Sequence, residues 1–514
     1  MPTRSGTYRT SSAPRLSPER TGAEAFPFPS RPFHLRHRSA SAAWRRPPAP
    51  HSTCIWSCGP ALRERDGAAS VRVLLGRVLV GAILGLQQGL PGQTRVAAHY
   101  AAPTGRSDGS GTADHPWDLA TALRGGGGQV QPGDTVWLRG GTYSGMWVST
   151  LTGTPSAPIV VRQYPGERAT LDGRGTHNDM FVVRGAWAFY WGFELTNSDP
   201  RRVSPDRSSS FRPDVVVNNG PHNKYVNLVI HDGGVAFYTY SDASTVEVYG
   251  CIIFNNGWQG PDRGHGHGLY LKSDEGPLVA RDNVLFNQFG YGVHAYTDAG
   301  TGRLRNIRIE GNVAFNNGLM GGDRDADGAN VLVGGNQPAS GIAVVENLTY
   351  FSPGVRGPNL AFGFREIQNV DLVAKGNYAA GGRPVLTVRR WSAPQVADNT
   401  LIDDTAGQRL KTAAVYVKPN AYEVGRAYVV VYNWGRTAVV TADLGGVLRA
   451  GDRYEIRSVQ DLFGPPVSSG TYAGGVIELP MVSRPPPIPV GMSSSQAPPT
   501  GPTFDVFVVS RVGR

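Results

Sequence analysis

Short apolar runs recur through the middle of the chain, and each run ends on Asn or Gly. Within a run the residues are mostly β-branched or aromatic, which is typical of one strand followed by a corner. The runs begin roughly 30 residues apart, the spacing of a solenoid repeat. Because one coil cannot bury its own apolar face, the pattern predicts coils that stack on one another. The clearest runs are residues 248–257, 280–287, 309–318 and 345–350.

Stacking predicts which side chains meet, since side chains alternate along a strand and stacked strands lie about 4.8 Å apart. Three successive runs, residues 235–242, 267–274 and 291–298, align without gaps. The predicted inward column is Phe237, Leu269 and Val293. The predicted outward columns are Tyr238, Tyr270 and His294; then Tyr240, Lys272 and Tyr296; and, at the strand ends, Asp242, Asp274 and Asp298.

Both ends of the repeat region differ from it. Before it, Pro116–Leu123 has the pattern of a short amphipathic helix, and Gln131–Leu138 follows as an extended segment. After it, residues 412–514 contain apolar runs separated by turn residues, which predict antiparallel strands. A Pro- and Ser-rich loop, residues 484–502, precedes a last strand at Phe504–Val509.

The helix is followed by Pro132-Gly133-Asp134-Thr135, an apolar triplet, and then Gly141-Thr142-Tyr143. This succession resembles the N-terminal cap and first coil of right-handed parallel β-helix proteins of the pectate-lyase-like superfamily. The resemblance continues through residues 157–173 and covers residues 100–405. It implies an all-β protein with a right-handed parallel β-helix and a short capping helix. It does not fix the chemistry, because the superfamily holds lyases, hydrolases, epimerases and non-catalytic adhesins.

The segment Gly451–Gly464 resembles the small β-sandwich appended to many secreted carbohydrate-active enzymes. We therefore expect a β-helix over residues 99–408 and a C-terminal β-sandwich over residues 409–514. An accessory module and a cap over the end of the solenoid both fit such a domain.

The basic charge of the chain lies in its first part. Residues 1–98 hold 14 basic and 4 acidic side chains, whereas residues 99–514 hold 36 of each. The folded part therefore offers no electrostatic reason to bind nucleic acid. Residues 1–70 lack any strand or helix period and are expected to be a disordered or wrongly assigned extension.

Residues 71–98 have a charged start, a short apolar stretch and small residues at their end, which is the layout of a secretory signal. The apolar stretch is too short to cross a bilayer comfortably, and no later stretch reaches spanning length. The sequence predicts a secreted, extracellular or cell-surface protein, and we expect a monomer without a membrane span.

The outward columns place phenols, an imidazole and an ammonium group on one face of the solenoid. Polysaccharides bind along such a face in the superfamily, and aromatic rings suit stacking on sugars. We expect Tyr238, Tyr240, Asp274 and His265, on the loop that enters the second strand, to contact the substrate. His267, two residues further on, is expected to point inward. The alternative is that the tyrosine columns only stabilise the stack.

A uronate-containing polysaccharide would be cleaved by β-elimination or altered by C5 epimerisation. Either reaction needs neutralisation of the carboxylate, a base for the C5 proton and a proton donor. We predict His294 as the base and Lys272 as the group that holds the carboxylate, with Tyr270 or Tyr296 as the donor. Asp274 argues against Lys272 as the base, because a nearby carboxylate favours the ammonium form.

Two other functions remain open at this point. Glycoside hydrolysis needs two carboxyl groups about 5–10 Å apart, which two members of the Asp column could provide. A non-catalytic polysaccharide-binding protein would need only the aromatic groove.

Calcium is the cofactor that the acidic residues suggest. Asp242, Asp274 and Asp298 could share a Ca²⁺ ion, or one of them could have a raised pKa, or each could cap a coil corner. A second candidate is the alternating motif Asp323, Asp325 and Asp327 before Gly328. This motif lacks the acidic residue at its twelfth position, which is Gly334.

Overall fold

A computed structural model describes residues 97–513 except 177, 208–209, 299, 322–327 and 404–409. These residues belong to one compact unit, Gln87–Arg514. The predicted extension and nearly all of the predicted signal lie outside the described residues, as do Asp323, Asp325 and Asp327.

Three long parallel sheets form the solenoid, which confirms the predicted all-β fold. Sheet 1 consists of Ala98–Ala101, Thr135–Leu138, Ile159–Gln163, Ala188–Trp191, Lys224–Val226, Val246–Tyr249, Leu278–Arg281, Leu304–Glu310, Ala339–Val345, Leu372–Lys375 and Gln395–Ala397. Sheet 2 consists of Trp147–Ser149, Phe181–Val183, Val216–Asn218, Phe237–Thr239, Leu269–Leu271, Val293–Ala295, Val331–Val333, Leu360–Phe362 and Leu386–Val388. Sheet 3 consists of Gly141–Ser144, Ala169–Asp172, Glu194–Thr196, Val229–His231, Ile252–Phe254, Val284–Phe286, Val313–Phe315, Leu348–Tyr350, Tyr378–Ala380 and Thr400–Ile402.

Shorter elements complete the coils. An α-helix, Leu119–Leu123, lies at the start, where the side chain of Asp118 accepts a hydrogen bond from the Thr121 N–H (2.7 Å) and so caps the helix. The remaining elements are a 3₁₀ turn at Gly126–Gly128, an antiparallel pair of Trp258–Gln259 with Gly264–His265, and a parallel pair of Asn369–Val370 with Trp391–Ser392.

Asparagine ladders explain why Asn ends so many runs. The Asn312 side-chain oxygen accepts from the Asn283 N–H and side-chain amide, and Asn312 in turn donates to Asn347. Asn377 and Asn399 continue the ladder along the solenoid. Each corner has a residue with a left-handed backbone just before the Asn, such as Asp282 (φ 54°) and Glu346 (φ 55°). The ladder satisfies corner N–H groups that would otherwise be buried without a partner.

The C-terminal part is built from antiparallel strands, as predicted. Its first sheet consists of Ala414–Pro419, Arg426–Tyr432, Phe504–Arg511, Arg453–Ser458 and Ser468–Thr471, and its second of Val439–Asp443 and Val476–Pro480. A 3₁₀ turn spans Val459–Asp461.

This sandwich packs on the outward side of sheet 3. Phe254, Phe286 and Phe315 stack there in a ladder, with ring centroids 5.1 and 4.8 Å apart. Together with Tyr350 they form one apolar cluster with Tyr432 and other sandwich residues. Because these rings alternate with side chains of the solenoid interior, the sandwich covers the solenoid from the side.

Candidate active site

The three aligned strands have the predicted register. Phe237 pairs with Leu269 and Leu269 with Val293, and all three side chains are fully buried. Tyr238 pairs with Tyr270, and Tyr270 with His294, so these three residues form an outward column on adjacent rungs of sheet 2. The gapless alignment is therefore correct over these strand positions. Beyond them Ser273 pairs with Leu304 and not with Thr297, so the predicted stacking of Asp274 on Asp298 is not continued there.

Rings of the column contact one another closely. The Tyr238 and Tyr270 rings stack with centroids 5.1 Å apart, and the edge of one ring meets the face of the other between Tyr270 and His294 (5.0 Å, 89°). The His294 imidazole also lies nearly parallel to Tyr291 and Tyr296, at 4.4 and 4.7 Å. The column is thus a continuous aromatic wall with one imidazole in it.

This wall lines a cleft of about 550 Å³, a volume suited to a short stretch of saccharide. Of the predicted site residues, Tyr238, Tyr270, His294, Tyr296, His265 and Asp298 line it. Lining residues outside the predicted site include Asp214, Arg263, His267, Tyr291, Phe364 and Arg365. The two arginines give the cleft positive charge that could face a carboxylate.

Burial controls the protonation of His294. The side chain of His294 is 7% exposed, and its ring centroid lies 4.4 Å from that of His267. Burial, reinforced by the charge of His267, holds the pKa of His294 well below its usual range. Its Nδ1 is buried and has no hydrogen-bond partner among the described residues. The imidazole is therefore neutral near pH 7 and available to accept a proton.

His267 does not point into the solenoid interior as the sequence suggested. Its ring lines the cleft, and its Nδ1 accepts a hydrogen bond from the Tyr291 N–H (3.1 Å). Burial lowers the pKa of His267 to about 3. Strand alternation fails at this position because Gly266, with φ 88°, turns the chain just before it.

Lys272 lies beside the cleft and is not part of its wall. Its Nζ donates a hydrogen bond to the Tyr238 hydroxyl (2.9 Å), and it is 6% exposed. Burial lowers the pKa of Lys272, and only the charge of Asp298 opposes this shift. Asp274, the expected neighbour, forms no ion pair with Lys272 in the described part of the chain.

The predicted proton donors keep their phenolic protons. Burial raises the pKa of Tyr270 strongly, and it raises the pKa of Tyr296 to about 12. Tyr296 donates a hydrogen bond to Asp298 Oδ1 (2.7 Å), and the Asn336 amide donates to both of them. Tyr270 lines the cleft next to His294 and so has the better placement for a donor.

Of the other predicted contacts, His265 lines the cleft and Tyr240 does not. Tyr240 is 47% exposed and its ring meets that of Tyr238 edge to face at 5.0 Å. His265 belongs to the short antiparallel pair, where it stacks on Trp258 (5.3 Å) and contacts Asp262 Oδ1 at 2.9 Å. These contacts fix His265, which is 7% exposed, in the lining of the cleft.

A pair of carboxyl groups absent from the prediction lies on the rungs before Tyr238. Asp179 and Asp214 each precede a strand of sheet 2 by two residues, and the Met180 N–H donates to the Asp214 carbonyl (2.9 Å). Burial, reinforced by the charge of Asp179, raises the pKa of Asp214 to about 7. Asp214 lines the cleft and could donate a proton there.

The Asp column serves separate local contacts. Asp298 accepts from Tyr296 and Asn336, the Asp274 N–H donates to the Ser241 carbonyl (2.6 Å), and Asp242 is exposed. Within the described residues, no group of three or more His, Cys, Asp and Glu side chains is arranged to hold a metal ion. Asp242, Asp274 and Asp298 therefore do not form such a group.

Fold and cleft together define a pectate-lyase-like β-helix protein of the carbohydrate-active class. A family model described as Pel9A-like, right handed beta helix region, matches residues 99–380. The chain belongs to this Pel9A-like family, and its β-helix is right-handed, as the sequence resemblance implied.

Similarity to individual proteins covers less of the chain. Pectate lyase PEL9 of Emericella nidulans is 39% identical over 139 residues, which are 23% of this chain and 33% of that protein. The chain therefore spans about a third of this relative's length in the match.

No described helix is long and apolar enough to cross a membrane.

Solved structures with a similar β-helix include pectate lyase Pel9A, with a TM-score of 0.42 and 16% identity over 60% of this chain and 80% of that one. A rhamnogalacturonan lyase has a TM-score of 0.41 and 16% identity, over 60% and 87%. A lacto-N-biosidase from Eubacterium ramulus has a TM-score of 0.38 and 13% identity, over 60% and 68%.

Proposed function

We propose that the protein is a polysaccharide lyase that cleaves a uronate-containing chain by β-elimination in the cleft on sheet 2. The observation that carries the proposal is a neutral, buried imidazole, His294, in the wall of a cleft that also holds two arginines. β-Elimination needs these two features together: a base for a carbon-bound proton, and positive charge beside the carboxylate.

Arg263 and Arg365 are proposed to bind the uronate carboxylate. Both line the cleft, and their guanidinium groups can hold a carboxylate in two parallel hydrogen bonds. Neutralising the carboxylate makes the neighbouring C5 proton more acidic. Lys272, expected from the sequence to take this role, instead directs its Nζ to Tyr238 and is proposed to position that phenol.

His294 is proposed to take the C5 proton. Its place in the cleft wall gives it access, and geometry is the first requirement for a base. Substrate binding adds a negative charge nearby, which favours the imidazolium form and strengthens the base. Tyr270, next to His294 and protonated, is proposed to donate to the leaving glycosidic oxygen. A C5-epimerase would instead return a proton to C5 from the face opposite His294, and so would need a donor other than Tyr270, which lies next to His294 in the same wall.

The test is the product formed from polygalacturonate and from other uronate polysaccharides. A lyase produces unsaturated ends that absorb in the near ultraviolet. His294→Gln is expected to lower kcat by about 100-fold or more while binding persists, since a general base contributes about that much. His115→Gln, an exposed position outside the cleft, is the matched control. A His294→Gln variant with full turnover would overturn the assignment.

Lys272 is the competing base, because burial lowers its pKa. Lys272→Met should therefore be compared with Lys375→Met, which alters an exposed lysine on sheet 1. A loss of about 100-fold confined to Lys272→Met, with His294→Gln active, would move the base role to Lys272.

Glycoside hydrolysis is the second candidate function, and the raised pKa of Asp214 favours it. Asp179 and Asp214 lie on adjacent rungs, so their spacing is close to the roughly 5 Å that a retaining hydrolase needs. A hydrolase would release reducing ends without the ultraviolet absorbance, and Asp214→Asn would abolish that release.

We also propose that the protein is secreted and acts outside the cell as a monomer. The layout of residues 71–98 supports export. Fusing this segment to a reporter enzyme and assaying the medium tests export, and light scattering of the purified chain tests the oligomeric state.

A further inference from the structure

A second cleft lies where the solenoid meets the C-terminal sandwich, and it has a volume of about 530 Å³. Its solenoid wall comes from sheets 1 and 3, whereas the candidate active site is built on sheet 2. Its sandwich wall comes from the strands Arg426–Tyr432 and Phe504–Arg511, which pair with each other. The two clefts therefore occupy different faces of the β-helix.

Positive charge dominates the lining of this second cleft. Five arginines and two glutamates line it: Arg162, Arg168, Arg426, Arg457, Arg511, Glu194 and Glu423. Arg168 is paired with Glu194 (2.5 Å), but the nearest carboxylate oxygen to Arg511, on Asp452, is 3.8 Å away. The Arg162 guanidinium makes no hydrogen bond or ion pair to a described residue, although it lies over the Trp191 ring. The Arg162 guanidinium is thus not neutralised, and that of Arg511 has only a long ion pair with Asp452.

Two buried donors in the same walls also lack partners. The Trp191 indole N–H and the Arg426 Nε are buried without a hydrogen-bond acceptor among the described residues. The Arg162 guanidinium lies 4.1 Å from the centroid of the Trp191 ring and holds that ring in place. Unpaired buried donors are costly, so an acceptor oxygen brought against these walls is favoured.

We infer that this cleft is a second, non-catalytic binding site for an acidic oligosaccharide. The guanidinium groups of Arg162 and Arg511 hold the uronate carboxylates. Polar side chains at the rim, Gln163 and Ser510, are placed to meet sugar hydroxyls. The choice of a uronate rests on the proposed function, whereas the preference for an anion rests on the charge of the cleft. Such a site would hold a polymer on the enzyme while another stretch occupies the cleft on sheet 2.

The test is isothermal titration of the full chain with a galacturonate hexamer, in a His294→Gln background that prevents turnover. Two binding sites are expected. Arg162→Gln/Arg511→Gln should remove one of them or weaken it at least ten-fold. The matched control is Arg184→Gln/Arg449→Gln, which removes the same charge from exposed positions on the solenoid and the sandwich and should keep both sites. Thermal melting checks that both double variants fold.

The inference is overturned if the Arg162/Arg511 variant binds two hexamers like its control, or if a neutral galactose hexamer binds the second cleft equally well. If the parent chain shows no lyase activity but the Arg162/Arg511 variant still loses one binding site, only the proposed reaction is overturned. Conversely, the Arg162/Arg511 variant should cleave short soluble uronates at the parental rate, because it leaves the cleft on sheet 2 intact.

Discussion

The Nζ of Lys272 lies 2.9 Å from the hydroxyl oxygen of Tyr238, which sits on the preceding rung of sheet 2. It also lies over the rings of Tyr238 and Tyr270, 5.2 Å from each centroid. These contacts direct the ammonium group to the aromatic wall. Lys272 thereby fixes the phenols that the substrate would meet.

Replacing Tyr238 by Phe removes the acceptor for this ammonium group. The pKa of Lys272 should fall further, because the charged form loses its hydrogen bond. Turnover should decline no more than about ten-fold, since Lys272 acts through Tyr238 and does not take the proton. A ¹³C-lysine NMR titration measures the pKa, and Tyr240→Phe is the control. An unchanged Lys272 titration would show that the hydrogen bond is absent in solution.

The pH dependence of kcat separates the three candidate groups. With His294 as base, the rate should be flat from near-neutral to alkaline pH, because the pKa of His294 lies well below its usual range. With Lys272 as base, the rate should rise at alkaline pH through a pKa that burial lowers. With Asp214 as general acid, it should fall as pH rises through about 7. A flat profile is expected, and either slope would contradict the His294 assignment.

Chelation of calcium is expected to leave turnover unchanged. Arg263 and Arg365 line the cleft and are proposed to bind the substrate carboxylate, and the described acidic side chains are not grouped for a metal. The measurement is the initial rate after dialysis against a chelator, with and without added Ca²⁺. A loss that Ca²⁺ restores would direct attention to Asp323, Asp325 and Asp327, which lie outside the described residues.

Asn312→Ala should destabilise the solenoid by about 2–4 kcal/mol, because it leaves several buried donors and acceptors of the ladder unsatisfied. Asn399→Ala is the matched control at the last rung of the ladder, where the side chain is half-buried, and it should cost less. Calorimetric melting temperatures measure the difference. Equal losses would indicate that the rungs do not contribute according to their burial.

His231 should stabilise the protein more at low pH than at high pH. Burial opposes its charge, but contacts with Asp232 (2.7 Å) and Glu194 (2.8 Å) raise the pKa of His231 to about 9. This folded-state pKa exceeds the unfolded value, so the stabilisation is complete below about pH 6.5 and lost through about pH 9.

His231→Gln should therefore cost up to about 3 kcal/mol at pH 6 and little of this at pH 10. Chemical denaturation at both pH values measures it, with His115→Gln as the exposed control. A cost that does not vary with pH would contradict the charged state of His231.

The outward column could be predicted because Tyr238, Tyr270 and His294 occupy equivalent positions in strands of period two with aligned ends. Asp214 could not be predicted in this way. It precedes Val216 by two residues, just as His267 precedes Leu269, and strand alternation predicts that both side chains point into the solenoid interior, whereas both line the cleft.

Arg263 and Arg365 could not be placed from strand periodicity. Both lie in irregular segments outside the strands, and Arg365 adopts a left-handed backbone (φ 51°). The orientation of Lys272 was equally hidden, because its partner Tyr238 belongs to another rung and the expected partner Asp274 is nearer in sequence. For Lys272, a contact with the neighbouring coil determined the direction of the side chain, and a residue of its own coil did not.

Because the sandwich covers the Phe254, Phe286 and Phe315 ladder, the β-helix and the sandwich are expected to be inherited together. A gene fragment ending after residue 403 would encode a solenoid whose phenylalanine ladder is exposed to water. Copies of such a solenoid would aggregate through this apolar surface. Recombination could replace the sandwich only by another domain that covers this phenylalanine ladder, or together with substitutions that make the ladder polar.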